Sequence, residues 1–223
     1  MNIALVIGAS GGIGGACMDW LRTAGYTVYG TYYSNPTAKC ALWADVADAS
    51  NISEIVNTLH SIQVVVNCAG LLQQKPYDKI GAQDWNDIMD INLYGTFNVL
   101  RTVMPYMLQQ QSGCIVNMAS IGGQIGGTLA VHYAAAKAGV ISLTKSFARI
   151  GAPHVRVNCV SPGLIATEMT AAEIAGAGGK EKVSSIPLGR VGTADEVAKA
   201  VMYLVGNGYV TGQIINVNGG AYI

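Results

Sequence analysis

Short apolar runs alternate with helical patterns along nearly the whole chain. The runs with the length of strands cover residues 3–7, 26–32, 41–44, 64–66, 114–118, 155–160 and 214–217. Most are apolar at successive positions, which is typical of strands buried on both faces of a parallel sheet. With helices between them, they predict an α/β fold: a Rossmann-type, doubly wound, seven-stranded parallel sheet flanked by helices in a three-layer sandwich.

The helical patterns supply the expected layers on both faces of the sheet. Helices are predicted after the first strand up to about residue 21, at 50–60, from a Gly-rich loop at 121–128 up to about residue 150, and at 194–204. A long helical stretch at 82–110 contains Gly95 and Pro105, where we expect interruptions. Thr193 and Glu196 have the spacing of a capping box, so the last helix should begin there.

The chain is expected to form one catalytic domain over residues 1–223, since this length suits a single α/β unit. The stretch 164–190 differs from the rest because it is rich in Ala, Gly and Ser with scattered charges. A segment of this kind packs weakly by itself and is a candidate for a mobile lid over a substrate. A surface loop without a role has the same composition.

Charge and cysteine content exclude several classes of function. Lys plus Arg total 13 and Asp plus Glu total 13, and the sequence has no basic run, so nucleic acid is not an expected partner. No apolar stretch reaches the ~18 residues of a membrane span. The five cysteines are scattered without C-x-x-C spacing, which favours buried thiols in a reducing, cytoplasmic setting over disulfides or a metal site.

A glycine-rich turn follows the first strand, with Gly8, Gly11, Gly12 and Gly14 leading into a helix. Glycines allow a pyrophosphate to approach the backbone closely, and a helix N-terminus supplies amide donors and positive potential. The order strand, turn, helix therefore predicts a dinucleotide site. The spacing is G-x-x-x-G-x-G and differs from the more widespread G-x-G-x-x-G, and a merely flexible turn is the alternative.

The end of the second strand bears on the choice of cofactor. An acid there would bind the ribose hydroxyls of NAD and repel the phosphate of NADP, but residues 32–36 contain no acid and no Arg. We therefore favour NADP(H), with NAD(H) possible. Ser10 and Ser34 are candidate phosphate donors or plain turn residues. Asp45 follows the third strand and either accepts from adenine or caps the next helix.

The strongest candidate chemistry lies in the predicted helix after the Gly-rich loop. Tyr133 and Lys137 are four positions apart and share a helix face. A phenol titrates near pH ~10, and a neighbouring ammonium would lower its pKa, which suits proton exchange with an alcohol oxygen. Ser120 ends the preceding strand, where sheet ligands bind. Asn92 lies within an apolar helical pattern, where an amide is usually a core hydrogen-bonding group.

Together these residues resemble the short-chain dehydrogenase/reductase family over essentially the whole chain, and most closely its 3-oxoacyl-[acyl-carrier-protein] reductases. The matching segments are G-A-S-G-G-I-G at 8–14, D-V at 45–46, N-C-A-G at 67–70, Asn92, Ser120, Y-A-A-A-K at 133–137 and P-G at 162–163. Two positions depart from the family pattern, Ile7 for the usual Thr and Cys68 for the usual second Asn. The three residues between Tyr133 and Lys137 argue against the enoyl-reductase branch.

The resemblance implies specific roles. Tyr133 is the expected general acid, Lys137 lowers its pKa and holds the nicotinamide ribose, Ser120 binds the substrate oxygen, and Asn92 supports a proton relay to Lys137. The implied cofactor residues are Gly8, Ser10, Gly12, Ile13 and Gly14 for the pyrophosphate and ribose, Asp45, Val46, Asn67 and Ala69 for the adenosine side, Gly70 at the same strand end, and Pro162, Gly163, Ile165 and Thr167 for the nicotinamide.

The leading expectation is an NADPH-dependent reductase of a small or thioester-linked carbonyl, with acyl carrier protein as a possible partner. Arg101 and Arg149 are the nearest candidates for docking such a carrier, or plain surface charges. The alternatives are an NAD(P)-linked dehydrogenase of a sugar, polyol or cyclic alcohol and, more remotely, a cofactor-sensing protein without chemistry. The resemblance also implies a homodimer or homotetramer formed through the helices that carry Asn92 and Tyr133.

Overall fold

Seven parallel strands form one sheet at the centre of the protein. The computed structural model describes residues 2–37 and 40–223. The strands are β1 (Ile3–Ile7), β2 (Thr27–Tyr32), β3 (Leu42–Trp43), β4 (Val64–Asn67), β5 (Gly113–Met118), β6 (Val155–Pro162) and β7 (Ile214–Val217). Their spatial order is β3-β2-β1-β4-β5-β6-β7, and every neighbouring pair is parallel. The predicted doubly wound, seven-stranded α/β fold is confirmed.

Helices cover both faces of this sheet. They are α1 (Gly12–Thr23), α2 (Ala49–Leu59), α3 (Ala82–Met89), α4 (Gly95–Gln109), α5 (Gly122–Ile125), α6 (Val131–Gly151), α7 (Glu168–Ala175), α8 (Gly179–Ser184) and α9 (Ala194–Gly206). Along β1, Ala4 and Val6 pack against α1 and α9, whereas Leu5 and Ile7 pack against α2 and α4. This alternation follows from the two-residue period of a strand and produces the three layers.

The stretch 82–110 departs from the predicted interruptions. The chain passes from α3 through a π-helical turn (Asp90–Tyr94) into α4, which runs without a break through Pro105. Gly95 serves close packing, because a Cβ there would lie 2.6 Å from Val46 Cγ2. Pro105 lies on an exposed face, where water can satisfy the carbonyl that loses its helical partner.

Helix termini confirm one capping prediction and correct another. Thr193 Oγ1 accepts from the Glu196 amide, and Glu196 Oε2 accepts from the Thr193 amide, so the capping box of α9 is present. The cap of α2 is Asp48, which accepts from the Ser50 amide at 2.9 Å. One of the two roles predicted for Asp45 was this cap. Asp45 instead accepts a hydrogen bond from the Ala47 amide in a tight turn.

The order of the strands fixes the place of a ligand site. Chain order reverses between β1 and β4, and ligands of such sheets bind at the carboxyl ends of the strands on either side of that point. The glycine turn, Asn67, Ser120 and Pro162 all lie at or just beyond these ends. In residues 2–37 and 40–223, no helix has both the length and the hydrophobicity that a membrane span requires.

Candidate active site

The turn between β1 and α1 has the shape of a cradle for a phosphate. Gly8 has a φ of +72°, and a Cβ there would lie 2.7 Å from the Ala69 amide nitrogen. A Cβ on Gly14 would overlap the Gly8 carbonyl oxygen, and one on Gly12 would approach Thr167 Cγ2 to 3.0 Å. The N-terminus of α1 has no side-chain cap and no acid in its first turn, so its amides are open to an anion.

The neighbouring strand ends place further predicted residues along the same edge. Ser34 is exposed two positions beyond β2, and Asp45 follows β3. Val46 is 6% exposed and packs against Gly95, so its side chain belongs to the wall of the core. Tyr33 and Trp43 stack at this edge with ring centroids 6.1 Å apart, a feature that the sequence analysis did not identify.

The carboxyl end of β4 is held by two buried amides. Asn67 is 2% exposed, accepts from the Ala69 amide and donates to Thr96, so its side chain shapes the turn from within and does not face a ligand. Asn92 is fully buried in the π-helical turn, where it exchanges two hydrogen bonds with the backbone of Leu71. The predicted core role of such an amide is therefore present at Asn92.

Tyr133, Lys137 and Ser120 converge at the end of β5. Lys137 Nζ lies 5.5 Å from the centre of the Tyr133 ring and donates to the Met118 carbonyl oxygen at 2.8 Å. The side chains of Lys137 and Asn92 both approach Gly70. A Cβ on Gly70 would lie 3.4 Å from Lys137 Nζ and 3.0 Å from Asn92 Oδ1. Burial lowers the pKa of Lys137 to about 8.

The ionisation of Tyr133 differs from the sequence expectation. Burial raises the pKa of Tyr133 to about 12, the hydrogen bond with Ser120 opposes that rise, and the charge of Glu173 adds to it. The Lys137 ammonium lies over the Tyr133 ring and donates to the backbone of β5. The protein alone therefore holds Tyr133 as a protonated phenol, which is the form that can donate a proton.

These groups lie in a cleft of about 660 Å³ at the carboxyl edge of the sheet. Its apolar lining includes Leu72, Ile121, Ile125, Leu129 and Met169. The predicted residues that line it are Ile13, Gly70, Ser120, Tyr133, Lys137, Pro162, Gly163, Ile165 and Thr167. Cys68 also lines the cleft, and a hydrogen bond with Cys17 and burial raise its pKa well above the usual value, so it is a thiol and not a nucleophilic thiolate.

The stretch 164–190 covers this cleft. It folds into α7 and α8, which contribute Met169, Thr170, Glu173 and Lys182 to the lining. Glu173 accepts from Gln74 at 2.7 Å and from Lys182 at 2.7 Å. The composition of residues 164–190 does not indicate the contact of Glu173, because its partner Gln74 lies 99 positions earlier in the chain.

Residues 71–75, which lie outside the assigned helices and strands, contribute another part of the cleft wall. The residues at the odd positions of this segment form hydrogen bonds with the rest of the protein. The Leu71 backbone bonds to Asn92, and the Gln73 side chain bonds to His132 and Asp84. Lys75 bonds to Leu129 through its backbone and to Asp84 through its side chain. The even positions, Leu72 and Gln74, line the cleft. Attachment to the rest of the protein and lining of the cleft thus alternate along residues 71–75.

Comparison with known proteins places this geometry in a family. A family model described as "Enoyl-(Acyl carrier protein) reductase" matches residues 8–222. The chain is 38% identical over 241 residues to a 3-oxoacyl-[acyl-carrier-protein] reductase of Staphylococcus aureus, covering 99% of this chain and 98% of that one. The chain belongs to the short-chain dehydrogenase/reductase family. It is accordingly an NAD(P)-linked oxidoreductase.

Further members of the short-chain dehydrogenase/reductase family extend the likeness to other substrates. The 3-oxoacyl-[acyl-carrier-protein] reductase of Thermotoga maritima is 35% identical, over 100% of this chain and 98% of its own. An aldohexose dehydrogenase of Thermoplasma acidophilum matches with a TM-score of 0.89 at 29% identity, covering 99% of this chain and 93% of its own. A glucose/ribitol dehydrogenase of Brucella melitensis matches with a TM-score of 0.91 at 29% identity, covering 100% of this chain and 97% of its own.

Proposed function

We propose that this protein reduces the carbonyl of a 3-oxoacyl thioester to a secondary alcohol with NADPH. The observation that carries the proposal is the convergence of Ser120, Tyr133 and Lys137 in one cleft with mainly apolar walls. An apolar cleft suits an acyl chain. Curated relatives named for this reaction match at 35–38% identity over nearly their whole length.

The proposed chemistry divides between the cofactor and the chain. The dihydronicotinamide supplies the hydride when it is bound. Ser120 and Tyr133 donate hydrogen bonds to the carbonyl oxygen, where negative charge develops, and Tyr133 gives that oxygen its proton. Lys137, with its pKa lowered to about 8, places a positive charge beside the resulting phenolate and stabilises it. Asn92 fixes Leu71 beside this group and supports the return of a proton.

The residues present fit a dinucleotide. The glycine turn leaves space that a Cβ would fill, and the uncapped α1 presents its amides to the pyrophosphate. Pro162, Gly163, Ile165 and Thr167 line the cleft, which supports their proposed role at its nicotinamide end. The absence of an acid at residues 32–36 supports NADPH as the preferred cofactor, with Ser10 and Ser34 as candidate phosphate donors.

A second candidate is an NAD(P)-linked dehydrogenase of a sugar or polyol. It is favoured by one part of the cleft, where the Gln74 amide and the Glu173 carboxylate form a polar end able to bind hydroxyl groups. The aldohexose dehydrogenase with a TM-score of 0.89 supports the same candidate. The apolar residues around the rest of the cleft favour the acyl substrate.

A substrate panel separates these candidates. The purified protein is assayed with NADPH and NADH against an acetoacetyl thioester, a crotonyl thioester, and aldohexoses and polyols with the oxidised cofactors. We expect NADPH-dependent reduction of the acetoacetyl thioester and no reduction of crotonyl thioester. Oxidation of a sugar with no turnover of acetoacetyl thioester would establish the second candidate, and crotonyl reduction would establish an enoyl reductase.

We propose in addition that two copies pair through α4 and α6. The supporting feature is an exposed apolar patch formed by Leu93, Tyr94, Phe97 and Leu143, where Tyr94 is 48% and Phe97 36% exposed. Arg101 lies over the Phe97 ring, which ties this candidate carrier-docking residue to the same face. Light scattering should give a mass of two or four chains, and Tyr94→Asp should lower it; a single-chain mass for the wild type would contradict the pairing.

A further inference from the structure

Glu173 is the carboxylate of the substrate cleft. Among the described residues that line the cleft, the charged side chains are Lys137, Glu173 and Lys182. Lys137 is 3% exposed and donates to the Met118 carbonyl oxygen. Its charge therefore lies beside Tyr133. Glu173 and Lys182 stand at the other side of the cleft, on α7 and α8.

Water shields the charge of Lys182 more than it shields the charge of Glu173. The side chain of Glu173 is 19% exposed, whereas that of Lys182 is 44% exposed, although their charged atoms are 2.7 Å apart. Solvent screens the outer ammonium more strongly than the inner carboxylate, because the field of an exposed charge spreads into water. The pair therefore leaves a net negative influence inside the cleft; burial is the main cause of the raised pKa of Tyr133, and the charge of Glu173 adds to it.

Glu173 is also held in place. Gln74 donates to one carboxylate oxygen and Lys182 to the other, so both oxygens are positioned from opposite walls of the cleft. Gln74 lies on segment 71–75, whose neighbours Gln73 and Lys75 are bonded to Asp84. A carboxylate fixed from two sides keeps its charge directed at the occupant of the cleft.

We infer that Glu173 is a specificity-determining residue that excludes carbonyl substrates bearing an anionic group beyond the reacting ketone and admits uncharged ones. This inference rests on the proposed function and narrows its substrate class to neutral carbonyl compounds. A carboxylate on the substrate would lie in the same cleft as Glu173, where like charges repel with little screening. A neutral acyl chain, ester or thioester meets no such repulsion.

The test compares one ketone in two charge states. Diethyl 3-oxoadipate and its 1-ethyl monoester share a scaffold, but the monoester carries a free carboxylate at C6. For the wild type we expect kcat/KM to be at least ~10-fold higher for the diester. In Glu173→Gln, the ratio of kcat/KM for the diester to kcat/KM for the monoester should fall by roughly 10-fold, because the monoester gains relative to the diester once the repelling charge is gone. Glu181→Gln, an acid-to-amide change on α8 outside the cleft lining, should leave the ratio unchanged.

A double variant distinguishes repulsion by Glu173 from attraction by a released Lys182. Glu173→Gln with Lys182→Gln should keep the gain on the monoester; loss of that gain overturns the inference. An unchanged ratio in Glu173→Gln, with the diester still reduced, overturns the inference alone. Failure of the wild type to reduce the diester and an acetoacetyl thioester overturns the proposed function and this inference with it.

Discussion

Lys137 is fastened to the backbone of β5 and not to the phenol of Tyr133. Its ammonium donates to the Met118 carbonyl at 2.8 Å and lies 5.5 Å from the centre of the Tyr133 ring. The position of this charge is therefore independent of the phenolic hydroxyl. Removal of that hydroxyl should disturb the chemistry and leave the surrounding site in place.

Tyr133→Phe should consequently lower kcat by about 10²- to 10⁴-fold, because the proton donor is lost. The dissociation constant of NADPH should stay within a few-fold of the wild type, since Lys137 keeps its backbone anchor. Steady-state kinetics and a fluorescence titration of the nucleotide measure the two quantities. A variant that retains a tenth or more of the wild-type kcat would show that another group supplies the proton.

Lys137→Met should make the folded protein at least as stable as the wild type at pH 7, although activity is lost. Burial lowers the pKa of Lys137 from 10.5 to about 8, which corresponds to a cost on the order of 3 kcal/mol for the charged form. The variant also leaves the Met118 carbonyl without its donor, which costs about 1–3 kcal/mol. The remaining gain should appear as an equal or higher melting temperature.

The sign of the pH dependence provides a second check on Lys137. Between pH ~8 and ~10.5 the unfolded chain binds more protons at Lys137 than the folded chain does. The free energy of unfolding of the wild type therefore rises with pH over this range. The stability advantage of Lys137→Met should shrink accordingly. Melting temperatures at pH 7 and pH 10 test this. Lys145→Met, at an exposed position of α6, is the control and should show no such trend. A variant much less stable than the wild type at both values would contradict the prediction.

His132 should make the protein sensitive to mild acid. It is fully buried; its Nε2 lies 3.0 Å from Gln73 Oε1, and its Nδ1 has no partner among the described residues. Burial lowers its pKa, Asp84 opposes that shift, and Lys75 adds to it. With the folded pKa below the unfolded value of 6.5, stability is full above that pH and is lost as the pH falls.

His132→Asn, which does not titrate, should reduce the loss of melting temperature between pH 7 and pH 5. His154→Asn, at an exposed position, should retain the wild-type slope. Asp84 remains ionised over this range, because hydrogen bonds from Lys75, Gly81 and Gln73 hold its pKa at about 2. Identical slopes in the wild type and in His132→Asn would assign the acid sensitivity to another group.

Gly11→Arg should shift the ratio of the NADPH and NADH affinities towards NADPH. Gly11 is exposed, has a φ of −79° that any residue adopts, and leaves 3.6 Å between a new Cβ and the Gly8 carbonyl oxygen. A guanidinium at this edge can bind a phosphate, with a gain of about 10-fold or more in affinity. Calorimetric titration with NADPH and NADH measures the ratio. Gly15→Arg, where a Cβ also has room, is the control, and an equal shift in both variants would contradict a positional effect.

The sequence was sufficient for those parts of the site that depend on local order. Strand, glycine turn and helix follow one another directly around Gly14, and Tyr133 and Lys137 share a helix face through their spacing alone. The pattern around Asn92 did not reveal the π-helical turn, because one extra residue within a helix leaves the apolar pattern almost unchanged. The expected interruption at Pro105 was wrong because exposure, a tertiary property, decides its cost.

Ionisation and long-range pairing were beyond the reach of local patterns. The proximity of Lys137 predicted a lowered pKa for Tyr133, whereas the burial that raises this pKa arises only when the folded chain encloses the phenol. Glu173 and Gln74 meet across the cleft from positions 99 residues apart, and neither has a neighbour in sequence that signals the contact. Residues of this kind are found from the fold and not from motifs.

In segment 71–75, the residues that line the cleft differ from those that hold the segment in place. Substitutions at positions 72 and 74 alter what the cleft contacts, while the bonds made by Leu71, Gln73 and Lys75 keep the segment in register. An insertion or deletion of one residue would move Gln73 and Lys75 away from Asp84 and Gln74 away from Glu173. Selection for new substrates can therefore act on point changes at two alternate positions, and the length of this segment is the quantity under constraint.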